Sequence, residues 1–127
     1  MIVDVQQGMF AVSPAIHRGE EIVRRIAGLL ARARGEGRPV VHVQHDGGPG
    51  HVLAKGSTGW PYHSLVAPRP DEIVVEKRHR SSFHDADRHR RLTDAGIGRL
   101  VIAGMQTEMC VESACRGAVR LEDWWRS

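Results

Sequence analysis

Cysteine is scarce in this chain. Two cysteines in 127 residues, Cys110 and Cys115, lie five positions apart in one expected helix. That spacing suits neither a good disulfide nor a Cys-x-x-Cys redox pair. A reducing compartment fits, and Cys115 is expected to pack in its helix face. No apolar run approaches the length of a membrane span. Strand-like residues begin at Met1 without a signal peptide, so the expected location is the cytoplasm, with no membrane partner. No internal repeat is present, and no linker divides domains. Aromatic residues make up only 5% of the chain. None interleaves the basic runs Arg78-His-Arg80 and Arg88-His-Arg-Arg91 as a single-strand binder requires. The net charge of +3 therefore reads as solvated helix faces, and no nucleic-acid partner is expected.

What is present is ordinary for one globular domain with a real core: 41% apolar and 26% charged residues. Met1 to Val3 is a short apolar start. Glu20 to Arg34 carries Ile22, Ile26, Leu29, Leu30 and Ala33 at helical period, and Gly35 and Gly37 end it. Val40 to Gln44 reads as a second strand behind Pro39. Asp46 to Pro70 is a long Gly/Pro-rich loop of the kind that is often functional. Ile73 to Lys77 is a third strand, Asp87 to Ala95 a short helix, and Leu100 to Ala103 a buried strand broken by Gly104. Alternating strands and helices predict an α/β fold: a doubly wound parallel sheet, Rossmann-like and three-layered.

Three residues stand where such a sheet would gather chemistry. Asp4 ends the first strand and Lys77 the third. Cys110 follows the fourth, at the start of a helix. Carboxyl ends of parallel strands face one crevice, where ligands bind. Helix N-terminal N–H groups favour a thiolate, which is the nucleophilic form. An amine beside it would stabilise that thiolate, and a carboxylate would hold the amine and move a proton.

The segments Ile2-Val-Asp-Val-Gln-Gln-Gly-Met-Phe10, Val75-Glu-Lys77 with Ser81-Ser-Phe83, and Gly104-Met-Gln-Thr-Glu-Met-Cys-Val111 resemble the isochorismatase-like cysteine hydrolases. The resemblance runs from Met1 to about Arg120. It implies Asp4, Lys77 and Cys110 as the catalytic residues. It also implies an oxyanion site made by the backbone N–H groups of Gln106 and Cys110. Members that cleave the vinyl ether of isochorismate lack the thiol. Cys110 therefore implies C–N hydrolysis of a small amide through a thioester, and no cofactor is expected. Phe10 and Phe83 are the aromatic residues this likeness places near the substrate, and Trp60 is a further candidate wall. His42, His45, Asp46 and His51 invite a metal reading. The position two after Asp46 holds Gly48 rather than the histidine of nicotinamidases, so no metal is expected.

One departure matters. Family members continue with further strands, whereas residues 121–127, Leu-Glu-Asp-Trp-Trp-Arg-Ser, resemble nothing in the family. The expectation is an incomplete domain over 1–120 with an unmatched tail. It lacks the last strands, so the cysteine strand is left as a sheet edge in the order 3-2-1-4. That leaves a homo-oligomer open, with the tail covering the edge or joining copies. A non-catalytic remnant or binding domain is the alternative function, and a thiol redox sensor is a third class.

Overall fold

The structure, a computed structural model, describes residues 1–11, 16–78, 86–105, 111 and 115–116, and only the backbone of 86–89. The elements are β1 (Ile2–Val3), α1 (Gln7–Phe10), α2 (Gly19–Gly35), β2 (Val41–His45), a 3-10 turn (Ser64–Val66), β3 (Ile73–Lys77), α3 (Ala86–Asp94) and β4 (Ala103–Gly104). The four strands pair in the order β3-β2-β1-β4, every pair parallel.

The apolar residues of β1, β2 and β3 are all β-branched Ile and Val, and helices flank the sheet, so both of its faces are covered. Successive residues of a strand face opposite sides. Ile2 joins Val23, Ile26 and Leu30 of α2, together with Val5, Val40, Val66 and Met105, in one buried cluster. Val3 joins Val41, Val43, Val75 and Leu92 of α3 in the other. The two helices thus lie on opposite faces, which makes three layers. Each buried Val, Ile or Leu contributes about 1.5–3 kcal/mol. The buried stripe of α2 runs through Val23, Ile26 and Leu30. Leu29, read from the sequence as part of that period, is 49% exposed on the flank.

β4 is shorter than its apolar run and shifted along it. β1 offers only Ile2 and Val3, which pair with Ala103 and Gly104. Gly104 therefore extends the strand that the sequence has it break. A Cβ there would stand 2.1 Å from the Val3 carbonyl oxygen, so only glycine allows the strands to close up. Val101, outside the ladder, is 69% exposed.

A buried polar network ties α2 to the sheet. Arg34 donates to Glu72 at 2.6 and 2.8 Å, and His42 Nε2 donates to the same carboxylate at 2.8 Å. The Arg34 hydrogen bonds, acting against burial, hold the Glu72 carboxyl at about 2, below its ordinary 4.5. Burial pushes the His42 imidazole below its ordinary 6.5. A depressed Glu72 contributes stability above pH 4.5 that is lost as pH falls toward 2. A neutral buried His42 contributes stability above pH 6.5 that erodes as pH drops below it. Both act in the same direction. The melting temperature is expected to fall steadily when a circular dichroism series runs from pH 7.5 to pH 4. A Glu72→Gln protein should start lower and show a flatter slope over the acid part of the series. A parent melting temperature independent of pH would contradict this.

Candidate active site

Asp4 is the last residue before the chain leaves the sheet. Its N–H donates to the Val43 carbonyl at 3.0 Å, and its own carbonyl accepts from Gln6 N–H at 2.9 Å. Between these bonds its backbone is left-handed, with φ 55. That conformation costs a non-glycine residue about 1–3 kcal/mol and persists only where the surroundings impose it. Strict alternation after Val3 would send Asp4 to the α2 face, away from Lys77. The left-handed turn breaks that alternation.

Lys77 ends β3, which is separated from β1 by β2. Two strand spacings are about 9–10 Å, which the lysine and aspartate side chains span together with the gap between their charged ends. Its Nζ stands 3.0 Å from Asp4 Oδ2, with side-chain exposures of 0% and 2%. Among the described residues, neither Asp4 oxygen accepts a well-directed hydrogen bond. The ammonium is close, but off the hydrogen-bonding direction. A fully buried charge pair with unfilled acceptor sites is a poor stabilising device. It is what an active site requires of a proton-handling carboxylate.

His45 is the register partner of Lys77 across β2 and β3. Its Nδ1 is buried and has no hydrogen bond among the described residues. Burial pushes the imidazole below its ordinary value, opposed by the Asp4 charge and aided by Lys77 and His51. His45 is therefore neutral at pH 7. The Tyr62 hydroxyl is also buried and has no hydrogen-bond partner among the described residues. Burial, and then the Asp4 charge, raise its pKa.

The loop after β2 folds back over the chain that leaves Asp4. Gln7 N–H donates to Pro61 at 2.7 Å, Gly8 N–H to Gly59 at 3.0 Å, and His63 N–H to Val5 at 2.9 Å. Gly59 is required by this approach: a Cβ there would stand 2.0 Å from the Val52 oxygen and 2.9 Å from Gly8 Cα. Asp46 starts the loop. The N–H groups of Gly48 and Lys55 hold its carboxyl below the usual range. An open depression of about 790 Å³ beside it is lined by Asp46, Pro49, Ala54, Lys55 and Arg78. A separate groove of about 700 Å³ lies at the amino ends of the strands, against Leu29, Val40 and Val101, away from Asp4 and Lys77.

Of the residues singled out in the sequence, the structure brings Asp4 and Lys77 together. Trp60 is half-buried, its carbonyl bonded to Gln6 and Gln44 and its ring 5.9 Å from Lys55 Nζ. Phe10 packs on the α2-side core, edge-on to His63 at 4.9 Å. Phe83, Gln106 and Cys110 lie outside the described residues. Cys115 is exposed rather than packed in its helix face; it and Arg116, consecutive helical residues, both face solvent. Among the described residues no three His, Cys, Asp or Glu side chains cluster to hold a metal. His42 is engaged with Glu72, while the His45 and His51 rings stand 6.0 Å apart. No helix among the described residues is long and apolar enough to cross a membrane. Sequence reasoning misses Gln6, Gln44 and Tyr62 as parts of the site and names His45 only in a metal reading. The available signal was Val41-His-Val-Gln-His45, a buried strand that carries polar residues.

The isochorismatase domain family model matches residues 1–122. A streptothricin hydrolase of Streptomyces noursei is 40% identical over 121 residues, which are 95% of this chain and 44% of that protein. A ureidoacrylate amidohydrolase of Variovorax paradoxus is 41% identical over 75 residues, 58% of this chain and 29% of that protein. The crystal structure of an isochorismatase from Pseudomonas putida superposes with a TM-score of 0.86 at 28% identity, covering 97% of this chain and 67% of that one. The chain thus spans less than half the length of these two curated relatives.

Proposed function

The chain belongs to the isochorismatase family, and on that premise we propose that it hydrolyses a C–N bond of a small amide through a thioester on Cys110. The observation that carries this reading is the buried Asp4–Lys77 pair at 3.0 Å, at the carboxyl ends of its strands. β4 lies directly beside β1, so the segment that leads to Cys110 starts next to Asp4. The relatives named for hydrolysis of streptothricin and ureidoacrylate favour the same reaction class.

The steps follow from charge and reach. Cys110, as a thiolate near the Lys77 ammonium, attacks the amide carbonyl, and a C–S bond forms. The N–H groups of Gln106 and Cys110 receive the negative charge that develops on oxygen. Asp4, holding the proton taken from the thiol, passes it to the departing nitrogen as the C–N bond breaks. Water then gives a proton to Asp4 and attacks the thioester. The acid leaves, and the proton returns to sulfur. Phe10, Trp60 and Phe83 supply apolar walls around a small amide substrate.

The test reads the thiol and the reaction together. Iodoacetamide labelling of Cys110 should follow a pKa well below the thiol reference of about 8.5, with exposed Cys115 as the internal comparison. Streptothricin, ureidoacrylate and simple primary amides should be offered in the same buffers, with release of the amine or ammonia measured. Cys110 labelling no faster than Cys115, with none of these amides cleaved, would overturn the reading.

A further inference from the structure

Two buried carboxamides have no part in those steps. β1 pairs with β2 through Ile2–His42 and Val3–Val43 and reaches no further, while β2 continues to His45 opposite Lys77. The N–H and C=O of His45 that face β1 are therefore left without a strand. Gln6 supplies both bonds from its side chain. Its Oε1 accepts the His45 N–H at 2.9 Å, and its Nε2 donates to the His45 carbonyl at 3.1 Å. The same Nε2 donates to the Trp60 carbonyl at 2.9 Å, and Gln44 Nε2 donates to that carbonyl at 2.9 Å as well. Gln6 is 0% exposed and Gln44 8%. A carbonyl oxygen has two lone pairs, so the Trp60 oxygen is filled by two donors that have no water to fall back on.

We propose that Gln6 and Gln44 are positioning residues, a buried amide clamp that holds the Trp60 stretch of the loop over the carboxyl ends of β1 and β2 and so sets how a substrate amide lies against Asp4 and Lys77. The proposal rests on the amidohydrolase reading above. The physical need is plain. From Asp46 to Tyr62 the chain contains no helix or strand, so point contacts of this kind decide where Trp60 sits. Gln6 also follows Asp4 by two residues, with its N–H on the Asp4 carbonyl. One side chain thus couples the left-handed turn at Asp4 to the end of β2 and to the loop. A misplacement of about 1 Å at such a site can cost on the order of a hundredfold in rate.

Three variants test this. Gln6→Met keeps length and apolar volume but loses all three bonds. Gln6→Glu keeps the acceptor for the His45 N–H and turns an oxygen toward two carbonyls. Gln44→Met touches only the Trp60 bond and keeps the test open if Gln6→Met does not fold. Hydrogen exchange is read at the Gly8, His45 and His63 amides, and kcat and KM on an amide the parent cleaves. Gln6→Met should speed exchange at all three amides by about tenfold or more. It should raise KM by about as much, with a smaller change in kcat. Gln6→Glu should restore protection at His45 alone, and Gln44→Met should raise KM without affecting His45. Folded variants with parent exchange rates would overturn the clamp. So would a lowered melting temperature with KM unchanged, the mark of a purely structural role. A parent that cleaves no amide would defeat the amidohydrolase reading by itself, and the exchange rates would still judge the clamp.

Discussion

Cys110→Ala is expected to abolish amide hydrolysis and leave the α/β fold in place. Without the thiolate no C–S bond forms, and neither Asp4 nor Lys77 can replace it. Asp4 is buried and engaged with an ammonium, and Lys77 is the cation of that pair. What remains is binding and oxyanion stabilisation, so kcat should fall by on the order of 10⁴ or more. Cys110→Ser should fall nearly as far. A serine hydroxyl needs a base to activate it, whereas a thiol ionises in a cationic setting. The measurement is single-substrate kinetics on an amide the parent cleaves, beside a thermal melt by circular dichroism. The melt should keep one cooperative transition. A Cys110→Ala protein that turns over like the parent would remove the covalent mechanism altogether.

Lys77→Met should carry the largest cost in stability. The substitution nearly preserves volume, yet it leaves the Asp4 carboxylate buried at 1% exposure with no cation beside it. Breaking a buried pair from one side typically costs about 3–5 kcal/mol, a large share of what a domain of this size has. Urea unfolding should show it as a lower midpoint with little change in slope. The double variant Asp4→Asn with Lys77→Met should recover much of that loss, because removing both charges removes the desolvation problem. It should recover none of the activity. That split separates a pair kept for chemistry from a pair kept for stability. A Lys77→Met protein as stable as the parent would contradict the buried geometry.

The positions legible in the sequence were those decided by short-range pattern. β3 was read at both of its ends, Ile73 and Lys77, because a β-branched run stops at charged residues. α2 was read to within one residue at each end, because its apolar period is long enough to average out a misplaced member such as Leu29. Asp4 and Lys77 were singled out as strand-end residues, since parallel strands must present their carboxyl ends together.

β2 begins and ends one residue later than its apolar pattern suggested, because pairing with β3 from Val41 to His45 sets its limits. β4 follows the two residues that β1 offers it and takes in Gly104, not the apolar Leu100 to Ile102. These limits come from a neighbour distant in sequence, to which local hydrophobicity is blind.

The site divides in the same way. Strand order alone determined that an acid and an amine would arrive at the same end of a parallel sheet, the carboxyl end of its strands. Only the tertiary structure decided that they touch. Contact needs the left-handed backbone at Asp4, φ 55, which no local preference of aspartate demands. Beside it, the Gln6 side chain stands in for the missing strand along His45. Both depend on hydrogen bonds between residues about forty and more positions apart, whose donors and acceptors meet only after the chain has folded.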